Sequence, residues 1–416
     1  MAEIRITGYQ GVRAALLDRT LTRSFDKELF ETGNILDGVL LVLHGEHHAN
    51  RRRFENPLVR RSPLEYYETE VFPATIAHTL PKMIEDDGTI DLVEYGGWCS
   101  VTVACRIAGI DLADGQIERA SQLFGLVRVF SQGVTILDAL DAGPDEIKAR
   151  VRAALEEFDR DFFAVSRERR SQMLAQHSRG EINEEDLPRD LLTNLLRHQG
   201  SLGMDDDAIL HETAFFVGAG SHTNSQNVPN VMQFLLQWSA EYPDDAIRLQ
   251  TDRQFVQRCV HEAIRLRPTT PLIRRKALRS GEIVGQSVNE GDYVIMDVFS
   301  ANIDRSAYGE LADVFNPHRD IPGDVPAYGM SFGGGMHQCI GKTVAAGELP
   351  GHLADRDDHL YGLVTLMVEA LLHHGVSAHP SRSPVPNTRS ARWAQWLEYP
   401  VVMAPVSRRT VSAQLP

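Results

Sequence analysis

Apolar residues recur at helical spacing along most of the chain, and this pattern predicts a mainly α-helical protein. The spacing is clearest in four segments, which are Tyr9–Leu17, Leu64–Thr79, Leu92–Ala108 and Pro144–Arg170. Strand patterns are short and come late in the chain, at Glu282–Val284 and at Tyr293–Val298. We therefore expect a fold that is mainly α with small β-sheets.

The longest predicted helix runs from about Asp205 to Trp238. Three aspartates at its start place negative charge where the helix dipole and the free backbone amides favour it. Its middle, AFFVGAGSHTNSQNVP, is rich in residues that form helices poorly, and Pro229 removes a backbone donor. Such a helix is either kinked without consequence or opened so that a ligand can lie against it, and we favour the second interpretation.

The composition excludes some classes of function. Lys and Arg total 42 and Asp and Glu total 57, which gives a formal charge of −15. This charge argues against a protein that binds nucleic acid, or a membrane through a polybasic segment, because both need clustered positive charge. Four cysteines without CxxC spacing fit a reducing cytosol. No apolar run of about 18 residues and no signal-peptide pattern occurs. We expect a cytoplasmic protein without a membrane anchor.

The glycine-rich segment Ser331–Thr343, SFGGGMHQCIGKT, carries the most chemistry. A phosphate loop is one interpretation, because the segment ends in Gly-Lys-Thr, but that pattern would need glycine at Met336. A thiolate loop is the other. Cys339 lies just before a predicted helix, where amide donors and the helix dipole stabilise a thiolate that can bind a metal.

The order of residue types around this cysteine is specific. The pattern Phe332-x-x-Gly335-x-His337-x-Cys339-x-Gly341 resembles the haem-binding loop of the cytochrome P-450 family. The resemblance implies a single domain over residues 1–416, with haem b bound through the Cys339 thiolate to the iron. Phe332 and Gly341 would lie against the haem, and a thiolate ligand favours O–O cleavage.

Other segments match the same family in the same order. Glu262-x-x-Arg265 lies on one helical face, and Arg319 follows in a segment that resembles the family's meander. The resemblance implies a structural network formed by Glu262, Arg265 and Arg319. The similarity runs from roughly Ile6 onward, with a shortened N-terminus and an apparent insertion at residues 349–361 as departures.

The resemblance also implies which residues bind the two haem propionates. Arg275 and His337 match two of these contacts, and the segment GEHHANRRR matches the helix that supplies the others. We assign His48 and Arg52, although His47 and Arg51 have the same spacing. Arginine suits this role because its planar fork pairs with carboxylates.

Residues Ala219–Thr223 align with the family's oxygen groove, in which an acid precedes a threonine. Thr223 and Gly220 are present and Ala219 would face the haem, but His222 replaces the acid. Three interpretations stay open. His222 relays protons, since its ordinary pKa is near 6.5; or the enzyme performs atypical chemistry; or His222 packs away from the haem while Thr223 and water carry the protons.

The implied reaction inserts one oxygen atom from O2 into a mostly apolar small molecule, with electrons from NAD(P)H through ferredoxin and ferredoxin reductase. Arg51, Arg52, Arg53 and Lys342 are candidates for docking this partner. The alternatives are a peroxide-driven, coupling or rearranging enzyme, or a non-catalytic haem protein. The candidate substrate contacts are Phe215, Phe216, Thr270, Leu272 and Ile273.

Overall fold

The computed structural model describes residues 2–23, 35–349, 358–391 and 395–404. Its α-helices form most of the fold and are α1 (Tyr9–Leu17), α2 (Gly45–Glu55), α3 (Arg61–Tyr66), α4 (Phe72–Met83), α5 (Leu92–Ala108), α6 (Ile117–Val134), α7 (Pro144–Phe158), α8 (Ala164–Ser178), α9 (Leu191–Leu202), α10 (Asp206–Glu241), α11 (Pro243–Arg248), α12 (Arg253–Leu266), α13 (Val298–Asn302), α14 (Arg305–Tyr308), α15 (Lys342–Ala346) and α16 (Leu363–His373). The prediction of a mainly α fold is confirmed.

Short strands make up four small sheets. The strands are β1 (Glu3–Ile6), β2 (Leu21–Thr22), β3 (Thr89–Asp91), β4 (Leu272–Ala277), β5 (Gly281–Ile283), β6 (Gln286–Val288), β7 (Tyr293–Asp297), β8 (Ser377–Ala378), β9 (Val385–Pro386), β10 (Trp396–Glu398) and β11 (Pro400–Val402). The largest sheet has the order β1-β7-β4-β2, in which β1 and β7 run parallel and β4 runs antiparallel to both of its neighbours. This sheet presents β4 to the cavity described below.

Two of the predicted helices have the predicted bounds, α1 and α5. The ends of α5 have clear causes, because the Asp91 carboxylate caps its first turn and Gly109 ends it with a left-handed φ of 87°. The predicted helices Leu64–Thr79 and Pro144–Arg170 instead continue to Met83 and Ser178, each through a π-helical turn, at Tyr67–Val71 and Asp159–Phe163.

The central helix α10 is unbroken despite its glycines and Pro229. Asp205 caps it, since its carboxylate accepts a hydrogen bond of 2.8 Å from the Ala208 N–H. In the middle, the side chains of Ser221 and Asn224 donate back to the carbonyls of residues four positions earlier. Packing along α5 therefore outweighs the weak helix propensity of this segment.

The core consists of two apolar clusters. The larger one surrounds α5, α6, α10 and α12, and the smaller one packs α1 against the four-stranded sheet. Cys99, Cys105 and Cys259 are buried without disulfides, as predicted for small apolar core residues. Among the described residues, no helix has both the length and the apolar character needed to cross a membrane.

Candidate functional site

A cavity of about 310 Å³ lies between α10, β4, the end of α6 and the glycine-rich loop. Most residues predicted from sequence as site residues line it together, although they are scattered over most of the chain. They are His48, Arg52, Phe215, Ala219, His222, Thr223, Thr270, Leu272, Ile273, Arg275, Phe332, His337 and Cys339.

The glycine-rich loop follows a path that glycine alone accommodates easily. Gly333 and Gly335 both have a φ of 65°, in the left-handed region. A Cβ on Gly335 would also lie 2.5 Å from the Leu16 carbonyl oxygen, so the loop passes directly against the end of α1. The Cys339 N–H then closes the loop by donating to the Phe332 carbonyl at 2.9 Å.

Cys339 is enclosed by the protein, yet its side chain is exposed to the cavity. Burial raises the pKa of its thiol, because a thiolate is poorly solvated there. A backbone hydrogen bond from Gly341 and the positive charge of Arg52 act in the opposite direction. Gly341 therefore contacts the cysteine through its N–H group, whereas its Cα position does not line the cavity.

Four predicted propionate contacts surround one part of the cavity. The rings of His48 and His337 meet edge to face with centroids 4.5 Å apart. Arg52 donates to the Gln338 carbonyl at 2.9 Å, and Arg275 donates to the backbone of α1 at 3.1 Å. These contacts fix the four side chains while leaving further donors directed at the cavity.

The electrostatics of this group favour an anionic ligand. Burial and the neighbouring cations lower the pKa of His48 to about 4 and that of His337 to about 2. Burial also lowers the pKa of Arg275 to about 10. Within the described ranges, Arg275 Nε and His337 Nε2 are buried and have no hydrogen-bond partner. Unpaired buried donors of this kind fit the two carboxylates of haem b.

The structure distinguishes between the two equally spaced pairs on α2. His48 and Arg52 line the cavity, whereas His47 is exposed to solvent. Arg51 is buried on the other face of α2, where it forms an ion pair with Glu212 of α10. The helical offset of one residue, about 100°, thus separates the two pairs.

The oxygen-groove segment of α10 lies opposite the cysteine loop. Thr223 lines the cavity, and its hydroxyl donates to the Ala219 carbonyl at 3.0 Å. His222 also lines the cavity. Gly220, predicted as a catalytic position, does not, because it faces α5, where an added Cβ would lie 3.3 Å from the Ala104 Cβ. Its role is therefore close packing of the two helices.

Not every predicted substrate contact reaches the cavity. Phe216 packs against the large apolar cluster instead of lining the cavity, because it is one helical step away from Phe215. Trp396 of β10 also packs against α10, where its indole N–H donates to Asn230 at 2.9 Å.

The predicted structural network forms beneath the cysteine loop. Arg265 is completely buried and makes a bidentate ion pair with Glu262, with N···O distances of 2.7 and 2.8 Å. Arg319 reaches the same carboxylate at 3.1 Å and donates to three backbone carbonyls. Asn302 extends the network, since it donates to the Arg265 carbonyl and to the Ser331 hydroxyl at the start of the loop.

Sequence reasoning missed one polar feature of the cavity wall. Arg274 of β4 forms an ion pair of 2.9 Å with Asp138, which lies in the 3-10 turn Ile136–Asp138 between α6 and α7. Both residues line the cavity. They are far apart in sequence, so no local spacing could indicate the pair. The apolar spacing of α6 was the available signal that this region reaches the cavity through Phe130 and Val134.

No group of three or more His, Cys, Asp or Glu side chains that could hold a metal ion occurs in the described part of the chain. His359 of the apparent insertion hydrogen-bonds to Gln257. His352, Asp355 and Asp357 lie outside the described residues.

Comparison with curated proteins finds bacterial relatives at 25–32% identity. Cytochrome P-450 105A3 of Streptomyces carbophilus is 31% identical over 160 residues, which cover 38% of this chain and 37% of that protein. The C-19 steroid 1alpha-hydroxylase of Sorangium cellulosum is 25% identical over 328 residues, which cover 79% of this chain and 75% of that protein. In six of these eight relatives the matched stretch spans 24–61% of their length, less than two thirds.

Solved structures share the fold over nearly the whole chain. CalO2 superposes with a TM-score of 0.73 at 20% identity, covering 96% of this chain and 90% of that one. CYP109E1 from Bacillus megaterium in complex with testosterone superposes with a TM-score of 0.70 at 18% identity, covering 96% and 91%. The family profile described as cytochrome P450 matches residues 2–354. The chain belongs to the cytochrome P-450 family.

Proposed function

We propose that this protein is a haem-thiolate monooxygenase that inserts one oxygen atom from O2 into a mostly apolar small molecule. The observation that carries the proposal is that the Cys339 side chain faces a cavity in which His48, His337, Arg52 and Arg275 converge. A thiol facing this group matches the donor set that would hold a haem through one thiolate and two propionates.

Each residue then has a defined task. Cys339 would ligate the iron, and the Gly341 N–H would hold the sulfur in place. Arg52 and Arg275 would pair with the propionates and so would help to hold the haem in the cavity. When bound, the haem would supply the chemistry of O2 activation, and a thiolate ligand favours O–O cleavage.

The substrate would lie on the α10 side of the cavity. Phe215, Leu272 and Ile273 supply apolar wall of the cavity, and Thr270, between α12 and β4, adds a polar group. The steroid hydroxylase of Sorangium cellulosum shows by its name that one relative acts on a large apolar molecule. A mostly apolar substrate fits this wall.

Proton delivery would depend on Thr223 and His222. Both line the cavity on one turn of α10, and a histidine can change its charge near neutral pH. This chain lacks the acid that the family carries at this position, so His222 is the titratable side chain among residues 219–223. We propose that His222 and Thr223 together pass protons from solvent toward the oxygen-binding side.

Electrons would arrive from NAD(P)H through a ferredoxin and its reductase, on the cysteine side. Lys342 and the exposed Arg53 are suited to docking an acidic partner. Arg51, the third candidate from sequence, is buried against Glu212 and is excluded from that surface. Free, buried cysteines are consistent with a cytoplasmic location.

The substitution of histidine for the acid favours a second candidate function. With His222 in the groove, the enzyme would perform peroxide-driven, coupling or rearrangement chemistry in which the substrate contributes polar groups. Peroxide-driven turnover without any reductant would support this candidate. Oxygenated product formed only with NADPH, ferredoxin and reductase would support the monooxygenase instead.

The first experiment is a ferric absorption spectrum of the haem-loaded protein, titrated with terpenes, steroids, fatty acids and macrolides. A shift toward the high-spin form identifies a substrate class, and a reductase assay then tests oxygenation. Cys339→Ser should abolish the thiolate-type spectrum of the reduced carbon monoxide complex. An unchanged spectrum in that variant would refute Cys339 as the ligand.

A further inference from the structure

The helix that follows Cys339 is interrupted. α15 ends at Ala346, where Gly347 turns the chain away with a φ of 72°, and the chain returns at Gly362 with a φ of 82° to begin α16. The two glycines lie in contact, since a Cβ on Gly362 would lie 2.3 Å from the Gly347 nitrogen. The chain therefore leaves the helical path after Ala346 and returns to it at the same point, at Gly362.

The interruption brings four backbone carbonyls together in the protein interior. The carbonyls of Ala346, Glu348, Leu360 and Tyr361 all lie 3.1–3.2 Å from one atom, Nε2 of Gln257. Gln257 is 1% exposed and lies on α12. A carboxamide carries two N–H donors, so this side chain shares both among four acceptors, of which two are buried and two partly buried.

Two histidines complete the arrangement. His261, one turn later on α12, has its Nε2 2.7 Å from the Ala346 carbonyl, and it is fully buried. His359 has its Nε2 2.9 Å from Oε1 of Gln257. The carbonyl acceptors require that both Nε2 atoms carry the proton and donate. Gln257 thus accepts from His359 and donates to the backbone of the interruption.

The outer side of the interruption is held separately. Arg61 forms ion pairs with Glu348 and with Asp358, which lie on the two arms of the excursion. Glu68 accepts from the backbone N–H groups of residues 361–362. These groups are partly exposed, whereas Gln257 and His261, which make the inner attachment, are buried.

The cysteine depends on this attachment because α15 is short. It has five residues and begins three positions after Cys339, and an isolated helix of this length is unstable. The Gly341 N–H that donates to the thiol lies at its start. We propose that Gln257 is a positioning residue for Cys339, which holds α15 and the Gly341 N–H in place through the carbonyls of the interruption.

The spectroscopic test of this inference rests on the proposed function, because it needs haem bound to Cys339. The amide-exchange test does not rest on it. Gln257→Ala should speed amide exchange in residues 342–346 roughly tenfold in the haem-free protein, because four carbonyls of the interruption lose their donor. In the haem-loaded protein it should shift part of the reduced carbon monoxide complex away from the thiolate-type spectrum. Gln250→Ala, an exposed glutamine before α12, is the matched control and should change neither measurement.

Gln257→Glu keeps the shape of the side chain but removes the donors, so it should resemble the alanine variant. If Gln257→Ala lowers the melting temperature while exchange in residues 342–346 and the spectrum both stay as in the wild type, Gln257 is a core residue only and the proposal is wrong. A wild-type protein without any thiolate-type spectrum would refute the proposed function, and the exchange experiment would still decide this inference.

A deletion variant keeps the test decisive if Gln257→Ala does not fold. Removing residues 348–361 joins Gly347 to Gly362 and eliminates three of the four acceptors. In the shortened chain, Gln257→Ala should fold. It should disturb the thiolate spectrum less than the same substitution does in the full chain. A full-chain variant that does not fold is counted as having lost the spectrum completely. A complete loss in the shortened chain as well would overturn the proposal.

Discussion

The two sides of the cavity are held in different ways. On the cysteine side, fully buried side chains of α12, chiefly Arg265 and Gln257, bond to backbone carbonyls around the glycine-rich loop. On the α6 side, the turn Ile136–Asp138 is held by the half-exposed Arg274 and by backbone bonds to residues 389–391. The cysteine side is therefore held by buried bonds, whereas the partly exposed bonds of the α6 side can open at lower free energy.

This difference suits a division of labour. A metal ligand has to be placed within a fraction of an ångström, and buried hydrogen bonds with no competing water supply that accuracy. A substrate wall has to admit and release a molecule, and connections between helices at the surface do so at small cost. The predictions below test each side of the comparison, beginning with the largest expected effect.

Arg265→Ala should be the most damaging change, because it removes the bidentate partner of the buried Glu262, leaves that carboxylate with the longer ion pair to Arg319, and strips donors from two carbonyls. Breaking a buried pair in this way costs about 3–5 kcal/mol. We expect little folded protein and no haem binding, measured by thermal unfolding and haem retention. The matched control is Arg253→Ala on the same helix, whose ion pair with Glu369 is largely exposed. That change should cost at most about 1 kcal/mol. Equal stability of the two variants would contradict the comparison.

His222→Asp tests the oxygen side of the cavity. If His222 and Thr223 form a dedicated relay, the aspartate should lower the fraction of electrons that end in product by on the order of tenfold. The measurement is product formed per NADPH consumed. A rise in this fraction would show instead that histidine is a poor substitute for the acid. Ser221→Ala is the control, because Ser221 is buried and donates to the Val217 carbonyl, away from the cavity.

The separation of contacting residues along the chain explains which features could be predicted from the sequence. Glu262 and Arg265 lie three positions apart on one helix, so their ion pair can be predicted from the sequence. The loop that presents Cys339 is equally local, and its glycines indicate its backbone path. The resemblance to a known family then supplied Arg319, which no spacing rule links to Glu262.

Long-range pairs are the features that sequence reasoning missed. In the sequence, Gln257 has no feature that separates it from other polar residues of an amphipathic helix. The four carbonyls around it come together only in the folded protein. Asp138 and Arg274 meet through the tertiary fold alone. The weak helix propensity of residues 218–229 suggested an opening in α10, but packing and back-bonding side chains keep that helix continuous.

Asp138→Asn tests the weaker side directly. Losing the charge should loosen the turn between α6 and α7 and raise the association rate of a bulky azole ligand roughly two- to fivefold, in keeping with the modest strength of a partly exposed ion pair. Stopped-flow spectra would measure this rate.

The wild-type rate should rise with salt, because screening weakens the pair, and the variant rate should stay level. Asp141→Asn, an exposed carboxylate in the same connection, should behave as the wild type. Equal rates for the Asp138 variant and the wild type at every salt concentration would show that the pair does not limit access.

The last prediction concerns the buried Glu55 of α2, which lies near Glu212 of α10. Burial and the nearby Glu212 raise its pKa well above the ordinary value of 4.5, and neither carboxylate oxygen has a hydrogen-bond partner among the described residues. The folded protein therefore keeps a proton that the unfolded chain releases above pH 4.5. It follows that this group favours folding at low pH and that stability falls as the pH rises toward the raised pKa.

Glu55→Gln removes this titration while keeping the shape of the side chain. The variant should be more stable than the wild type by about 1–3 kcal/mol at pH 8, with the difference shrinking toward pH 4.5. Denaturant unfolding at a series of pH values measures both. Glu46→Gln, at the exposed start of the same helix, should leave the pH profile unchanged. If the Glu55 variant is instead less stable at pH 8, the carboxylate is charged and paired in the folded protein, and α2 is attached to α10 by more than the Arg51–Glu212 ion pair.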